Sequence, residues 1–441
     1  MKILIIFLLF PLGILGQEKQ VLTLDNYMQA QTNFNEFSGA VLVIKKGSII
    51  YEKAFGKADR EWNIKNTTDT KFRIGSNTKQ FTAACIMKLE EQGRLSINDK
   101  VSKYIPDYPK GDSVTIHMLL NHTSGITDYT NLDEFWNSIA YLPLKPDSFI
   151  TLFKNKPYDF SPGSKWNYSN SNYYLLGIII EKISGNTYSD YLNKNIIIPA
   201  ALKNTNVDRL DSVLLYRAKG YAKLKTFYYN APYISMESPW SSGAIYSTVE
   251  DLYKWSNALF NNKVVTAFSL KKMTTPYKET YGYGLFIDSL NNHLRIWHDG
   301  GIPGFSSHLA YYPADDVNII ALSNNSFNTN NIGNGLAHLL FNIPIEIPYF
   351  HKEIPLADSL LTKYAGKYNA ASAFEIIKKN GKLYRHRSKG RDIELKPESK
   401  TKFFYADDSD RQLEFKLTKD NIISNVFIII SGIKTEIKKM E

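Results

Sequence analysis

Ser76 stands three residues before Lys79 at the head of an apolar-periodic run, from about Asn77 to Gln92, that predicts a helix stopped by Gly93. Residues three apart share a helix face, so a hydroxyl and an amine become neighbours there. A serine beside a base, at the positive end of a helix, is what nucleophilic acyl transfer requires. The spacing alone is common in long chains, where a helix cap followed by a solvated lysine explains it equally well. Chemistry at Ser76 therefore needs partners from elsewhere in the chain.

Two other stretches offer them. Tyr168-Ser169-Asn170 places a phenol, a hydroxyl and an amide on a turn just before a second helix, from about Asn172 to Ser184. His298-Asp299-Gly300-Gly301 lies at the end of a predicted strand, where Gly300, Gly301 and Gly304 leave room for a substrate backbone to approach. The eight histidines are scattered, with no His-Glu-x-x-His and no Cys-His cluster, so a metal hydrolase is not expected. Ser76 also lacks the Gly-x-Ser-x-Gly surroundings of an α/β-hydrolase.

The elements around these stretches point to an α+β fold. Residues Ser38–Ile44 and Ser48–Gly56 flank Lys45-Lys46-Gly47 as a β-hairpin, and the apolar first strand calls for cover on both faces. Short strands recur near Tyr281–Ile287, Leu294–Gly301, Ser306–Tyr312 and Val317–Leu322, and with the hairpin they would make one antiparallel sheet flanked by helices. Helices are expected at Val114–Leu120, Val249–Phe260 and about Gly335–Phe341. Residues 17–345 would form this large domain. A proline-marked linker, 346–360, would follow, and then short alternating runs at roughly ten-residue spacing that predict a small antiparallel β-barrel over 361–441.

The N-terminus, Met1–Gly16, has one positive charge, a short apolar run and small residues at its end, the pattern of a signal peptide cleaved near Gly16 or Gln17. No run is long enough to span a bilayer, so the expectation is a soluble secreted or periplasmic protein without stable membrane insertion. The single cysteine, Cys85, has no partner within the chain and falls in the predicted helix, where packing is its expected role. A net charge of +10 suits an anionic envelope polymer, but the lysines form no basic stripe interleaved with aromatics, so nucleic acid is not an expected partner. Hydrophobic residues at 43% supply a sizeable core and exclude a disordered chain.

Taken in order and at their separations, Ser76-x-x-Lys79, Tyr168-Ser169-Asn170 and His298-x-Gly300 resemble the three motifs of the serine β-lactamase and penicillin-binding-protein superfamily. The stretches Val114–Ile126, Phe160–Gly163, Gly243–Thr248 and Gly300–Ser306 are similar to the branch that holds class C β-lactamases, D-stereospecific peptidases and related esterases. The tail from about Leu356 resembles the lipocalin-like barrel appended to that branch. The resemblance implies an acyl-enzyme route without metal or organic cofactor. Ser76 would be the nucleophile, and Lys79 its base or proton relay. Tyr168 would pass a proton to the leaving group, or act as a phenolate held by Lys79. Asn170 would orient substrate amides, His298 would line the opposite wall, and the backbone N–H groups of Ser76 and Gly301 would form the oxyanion hole.

Two departures bear on the substrate. His298 stands where β-lactamases of this branch have lysine, and a neutral imidazole holds a carboxylate less firmly. Asp299 stands where a hydroxyl residue is usual; turned to the pocket, it would repel a carboxylate and welcome an ammonium. Both favour D-amino-acid peptides, amides or small esters, cell-wall-derived peptides among them. The alternatives are a β-lactam hydrolase or D-Ala-D-Ala carboxypeptidase, a target that acylates and hardly releases, and a non-catalytic protein that binds envelope peptides or self-assembles.

Overall fold

The apolar run after Ser38 forms an inner strand of a six-stranded antiparallel sheet in a computed structural model of the chain, which describes residues 12–34, 37–224, 227–325, 328–369, 374–386, 391–407 and 410–440. Two compact units make up the chain, Ser38–Gly333 and a second formed by Met1–Phe37 with Asn334–Glu441.

In the first unit, strands β1 (Gly39–Lys45) and β2 (Ser48–Phe55) are joined at Lys46 and Gly47, whose φ values of 51° and 73° belong to the mirror-image turn that matches strand twist. β1 is buried from Gly39 to Ile44, as its uninterrupted apolar run requires. The remaining strands are β3 (Phe286–Leu290), β4 (His293–Ile302), β5 (Phe305–Tyr312) and β6 (Val317–Ser323), in the spatial order β3-β4-β5-β6-β1-β2. Gly39 pairs with Ser323 and Lys45 with Val317, so the two ends of the unit are zipped together inside one sheet. The residues from Tyr281 to Leu285, expected as strand, are not. Their backbone bonds locally, Tyr283 N–H to Met273 C=O and Gly282 N–H to Leu285 C=O, and β3 begins only at Phe286.

The helix that opens after Ser76 is α2 (Thr78–Glu91), with every residue from Thr78 to Met87 buried. It packs against α4 (Asn170–Ser184) and the short α5 (Trp240–Gly243). Helix α3 (Ile116–Leu120) opens with Thr115 as its cap, the hydroxyl accepting from Met118 N–H at 3.2 Å. α4 ends at Gly185 in the left-handed conformation, φ 70°.

In the second unit, eight strands between Gly366 and Lys439 close into an antiparallel barrel at the ten-residue spacing read from the sequence. Tyr368, Phe374, Phe403 and Phe415 are among the side chains that fill it. The proline-marked segment before it bonds to the barrel backbone, Glu346 N–H to Gly432 C=O and Ile354 N–H to Pro397 C=O. The helix expected near Gly335–Phe341 runs longer, Thr329–Leu340.

Of the expected signal peptide, residues 1–11 lie outside the described residues. From Leu12 the backbone is helical through Phe34, which is α1. From the sequence the stretch after Gln17 reads only as a polar start, with no helix expected. Leu24, Tyr27, Met28 and Gln31 are buried at offsets of three, four and seven, a helical stripe diluted by the polar residues between them. Among the described residues no helix is long and apolar enough to cross a membrane.

Candidate active site

Ser76 sits in a single 3-10 turn, Gly75–Asn77, that runs directly into α2. That turn is clamped from two sides. Ser307 on β5 donates its hydroxyl to Ile74 C=O at 2.6 Å and accepts from the Asn77 amide at 2.8 Å. On the other side Ile74 N–H bonds to Ile245 C=O at 2.9 Å, and Ile245 N–H to the Thr78 hydroxyl at 3.1 Å. Ser76 is therefore held between the Ser307 hydroxyl and the Ile245 backbone before any substrate arrives, the condition for precise positioning.

Lys79 is fully buried, and its Nζ has three polar neighbours: Ser76 Oγ at 3.1 Å, Asn170 Oδ1 at 2.8 Å and Ser242 C=O at 2.8 Å. Burial lowers its pKa from the ordinary lysine value to about 7, while the charge of Asp128 works in the opposite sense. The two closest neighbours are carbonyl oxygens, which only accept. A neutral amine gives its two N–H groups to them and leaves its lone pair for the Ser76 hydroxyl.

Asn170, expected from the sequence to orient substrate amides, has both ends of its amide engaged within the protein. Its Oδ1 accepts from Lys79, and its Nδ2 donates to the Asp128 carboxylate at 3.0 and 3.3 Å. Asp128, 5% exposed, also accepts from Thr130 N–H and the Thr130 hydroxyl, and burial raises its pKa. A chain from carboxylate to amide to amine thus ends at the Ser76 hydroxyl. Replacing Asp128 by asparagine keeps an acceptor and removes the charge that favours the protonated amine. The acid limb of the kcat/KM–pH profile should then move to lower pH; an unchanged limb would disconnect Asp128 from Lys79.

The Tyr168 ring lies 4.8 Å from the Lys79 Nζ, and its buried hydroxyl makes no hydrogen bond of good geometry, with Ser76 as the group that eases its ionisation. Burial raises its pKa well above the ordinary tyrosine value, so the phenol form prevails. His122 backs this ring at 4.4 Å and is fully buried, and its Nδ1 accepts from Ser169 N–H.

His298 is 2% exposed and does not line the wall of the open site. Its Nδ1–H donates to Asp299 C=O at 2.5 Å, and its Nε2 lies 3.0 Å from the Tyr281 hydroxyl, which donates to it. Burial, and secondarily the Lys79 charge, lower its pKa to about 3. The ring is neutral and both nitrogens are engaged. Asp299 is corrected as well: its carboxylate accepts from His308 Nδ1–H at 2.7 Å across the β4–β5 pair, and it is absent from the cavity lining. Side chains alternate along a strand, so the residue after His298 turns to the opposite face of the sheet.

Gly300 serves backbone packing rather than substrate. A Cβ there would lie 1.8 Å from Ile74 C=O and 2.5 Å from Ser307 Oγ, so β4 touches the Ser76 turn directly. Gly300→Ala should cost about 3 kcal/mol of stability, read as a shifted denaturation midpoint, together with much of the activity. Gly301 has open space at its Cβ position. It pairs with Ser306, next to the Ile302–Phe305 pair that closes the Pro303-Gly304 turn, so alternation turns its N–H away from β5, to the side where β3 has already ended. Gly75, with φ 51°, lies against that N–H.

Beside Ser76 opens a cavity of about 210 Å³. Asn170, Gly243 and Gly301 border its polar end, and Tyr129, Phe135, Trp136, Ile234 and Ile302 its apolar end.

The beta-lactamase family model matches residues 25–340, more than half of the chain. The chain belongs to the beta-lactamase family. Among its relatives are the putative penicillin-binding protein PbpX of Bacillus subtilis, 32% identical over 331 residues (73% of this chain, 81% of the relative), and penicillin-binding protein 4* of the same organism, 30% identical over 419 residues (88% and 91%). Among solved structures, a D-stereospecific amidohydrolase from Streptomyces is 25% identical with a TM-score of 0.60, covering 68% of this chain and 94% of that one. The first unit thus has a beta-lactamase fold, in a superfamily of serine hydrolases that includes the penicillin-binding proteins.

Within this beta-lactamase-family site, Ser76, Lys79, Tyr168 and Asn170 come together, while Gly301 borders the same cavity. Sequence reasoning missed Asp128, Ser242 and Tyr281. Asp128 stands two positions beyond the Val114–Ile126 stretch, a lone carboxylate in a loop with no spacing signal. Ser242 acts through its backbone carbonyl, which no residue type reveals.

Proposed function

We propose that the protein is an exported serine hydrolase that cleaves amide or ester bonds through a Ser76 acyl-enzyme, its substrates being D-amino-acid peptides or related small esters. The observation that carries this reading is the buried Lys79 Nζ 3.1 Å from Ser76 Oγ, with its other two polar neighbours being acceptors. Neutral Lys79 takes the Ser76 proton as Oγ bonds to the substrate carbonyl carbon. The N–H groups of Ser76 and Gly301 receive the oxyanion. The Tyr168 hydroxyl gives its proton to the leaving amine or alcohol and regains one from Lys79. Water then enters by the same route in reverse and releases the acid. The raised pKa of Tyr168 and the lowered pKa of Lys79 favour the amine as base over a phenolate.

The amide and ester preference is supported by the neutral, fully bonded His298 at the third motif and by the likeness to the D-stereospecific amidohydrolase. A β-lactam hydrolase or D-Ala-D-Ala carboxypeptidase is the second reading, favoured by the two penicillin-binding proteins among the relatives. Two measurements test the proposal. A fluorophosphonate should add a single adduct to the peptide containing Ser76. Nitrocefin, a short-chain nitrophenyl ester, a D-amino-acid anilide and a D-Ala-D-Ala peptide should then rank with the ester and anilide first. Absence of the adduct overturns the mechanism, and nitrocefin or D-Ala-D-Ala in first place overturns the substrate class.

A further inference from the structure

The cavity beside Ser76 has no charged side chain in its lining. Its apolar end is a preformed aromatic corner. Tyr129 and Phe135 are buried with ring centroids 4.9 Å apart, Phe135 meets Trp136 edge-on at 4.8 Å, and the Trp136 indole N–H donates to Thr130 C=O at 2.9 Å, which fixes its plane. Ile234, Ile302 and Pro303 complete it.

Charged groups nearby are already committed. Lys79 is held by the Asn170 and Ser242 carbonyl oxygens and by the Ser76 hydroxyl, and Asp128 lies behind Asn170 with its oxygens taken by Thr130 and Asn170. His298 is saturated by Asp299 C=O and Tyr281, and the Asp299 carboxylate faces His308. Arg73, on the chain leading to Ser76, is paired with Asp208 at 2.7 Å. A substrate carboxylate in this cleft would leave water without gaining a cation, and an ammonium without gaining an anion; each such transfer is costly. Size points the same way. A dry cavity of about 150 Å³ lined by apolar side chains accommodates benzene, so about 210 Å³ has room for one ring beside the reacting carbonyl.

We infer that this site selects acyl donors carrying no charge near the scissile carbonyl and presenting one phenyl-sized or branched apolar group: esters and amino-blocked amides, in preference to free amino-acid amides and carboxylate-bearing donors. The inference rests on the acyl-enzyme reading and narrows it, removing both charged ends.

Matched pairs test it. The nitrophenyl ester of glutaric acid monomethyl ester should exceed that of glutaric acid in kcat/KM by on the order of tenfold or more, and N-acetyl-D-phenylalanine nitroanilide should exceed D-phenylalanine nitroanilide, measured at pH 6.5, by a similar factor. The phenylacetyl ester should exceed the acetyl ester by about tenfold, and Trp136→Ala should erode that ratio while leaving the glutarate pair's ratio in place. Ile302→Lys places a cation in the cleft and should invert the glutarate pair. Fluorophosphonate labelling of every protein separates the cases. A labelled wild type that handles charged and neutral members equally, or a Trp136→Ala protein with an unchanged phenylacetyl ratio, overturns the inference and leaves the acyl-enzyme intact. A wild type that neither labels nor turns over any probe overturns both. If Ile302→Lys fails to label, the wild-type pairs decide alone.

Discussion

Ser76→Ala should reduce kcat by a factor on the order of 10⁴ to 10⁶ and leave the fold intact. Loss of the nucleophile removes the covalent route entirely, and residual rate then comes only from binding and oxyanion stabilisation. Such a factor corresponds to about 5–8 kcal/mol of lost transition-state stabilisation. The serine's hydrogen bond within the site is the one to Lys79 Nζ, whose two shorter bonds go elsewhere, so its removal should change stability by no more than about 1 kcal/mol. Turnover of ester probes together with thermal unfolding checks both halves. Undiminished turnover in a folded variant would place the chemistry at another residue.

Lys79→Met should lower kcat by about 10³-fold or more, since it removes the base and keeps a side chain of similar length. In the wild type the sign of the pH dependence follows from burial. Lys79, with its pKa lowered to about 7, is protonated and inactive as a base below that value and neutral above it, so kcat/KM should rise with pH and reach half its plateau near 7. Were the base a tyrosine phenolate, the midpoint would lie far higher, because burial raises the Tyr168 pKa. The same shift acts on stability. The unfolded chain binds a proton at this lysine between about pH 7 and its ordinary pKa of 10.5, where the folded chain does not. The Lys79 contribution to stability therefore rises with pH across that window. Lys79→Met should flatten both the rate profile and that stability slope. A rate profile unchanged in shape would assign the ionisation to another group.

Much of this was legible because helical and strand periods are strong signals where one face is buried. The Ser76–Lys79 pairing followed from helix geometry, the hairpin from Lys46-Gly47, and the barrel from its evenly spaced alternating runs. The directions of His298 and Asp299 were not legible. A strand's period of two states that neighbours face opposite ways, but which one faces the site depends on how β4 packs on the Ser76 turn, a tertiary contact between Gly300 and Ile74. Residue type also misjudged Asn170. An amide next to a buried lysine is free to serve substrate only if no buried acid claims it, and Asp128 does. The α1 stripe was lost to the polar residues between Leu24 and Gln31, where pattern alone does not separate a docked helix from an irregular lead.

The closed barrel bears on assembly. A sheet that returns to its first strand has no row of unpaired backbone groups with which to recruit another chain's strand. Among the described residues the open sheet edges lie in the Ser38–Gly333 unit, where growth by strand addition would begin, its six-stranded sheet being the largest. One outer strand there, β2, carries Glu52 and Lys53, charges of the kind that keep an exposed edge solitary.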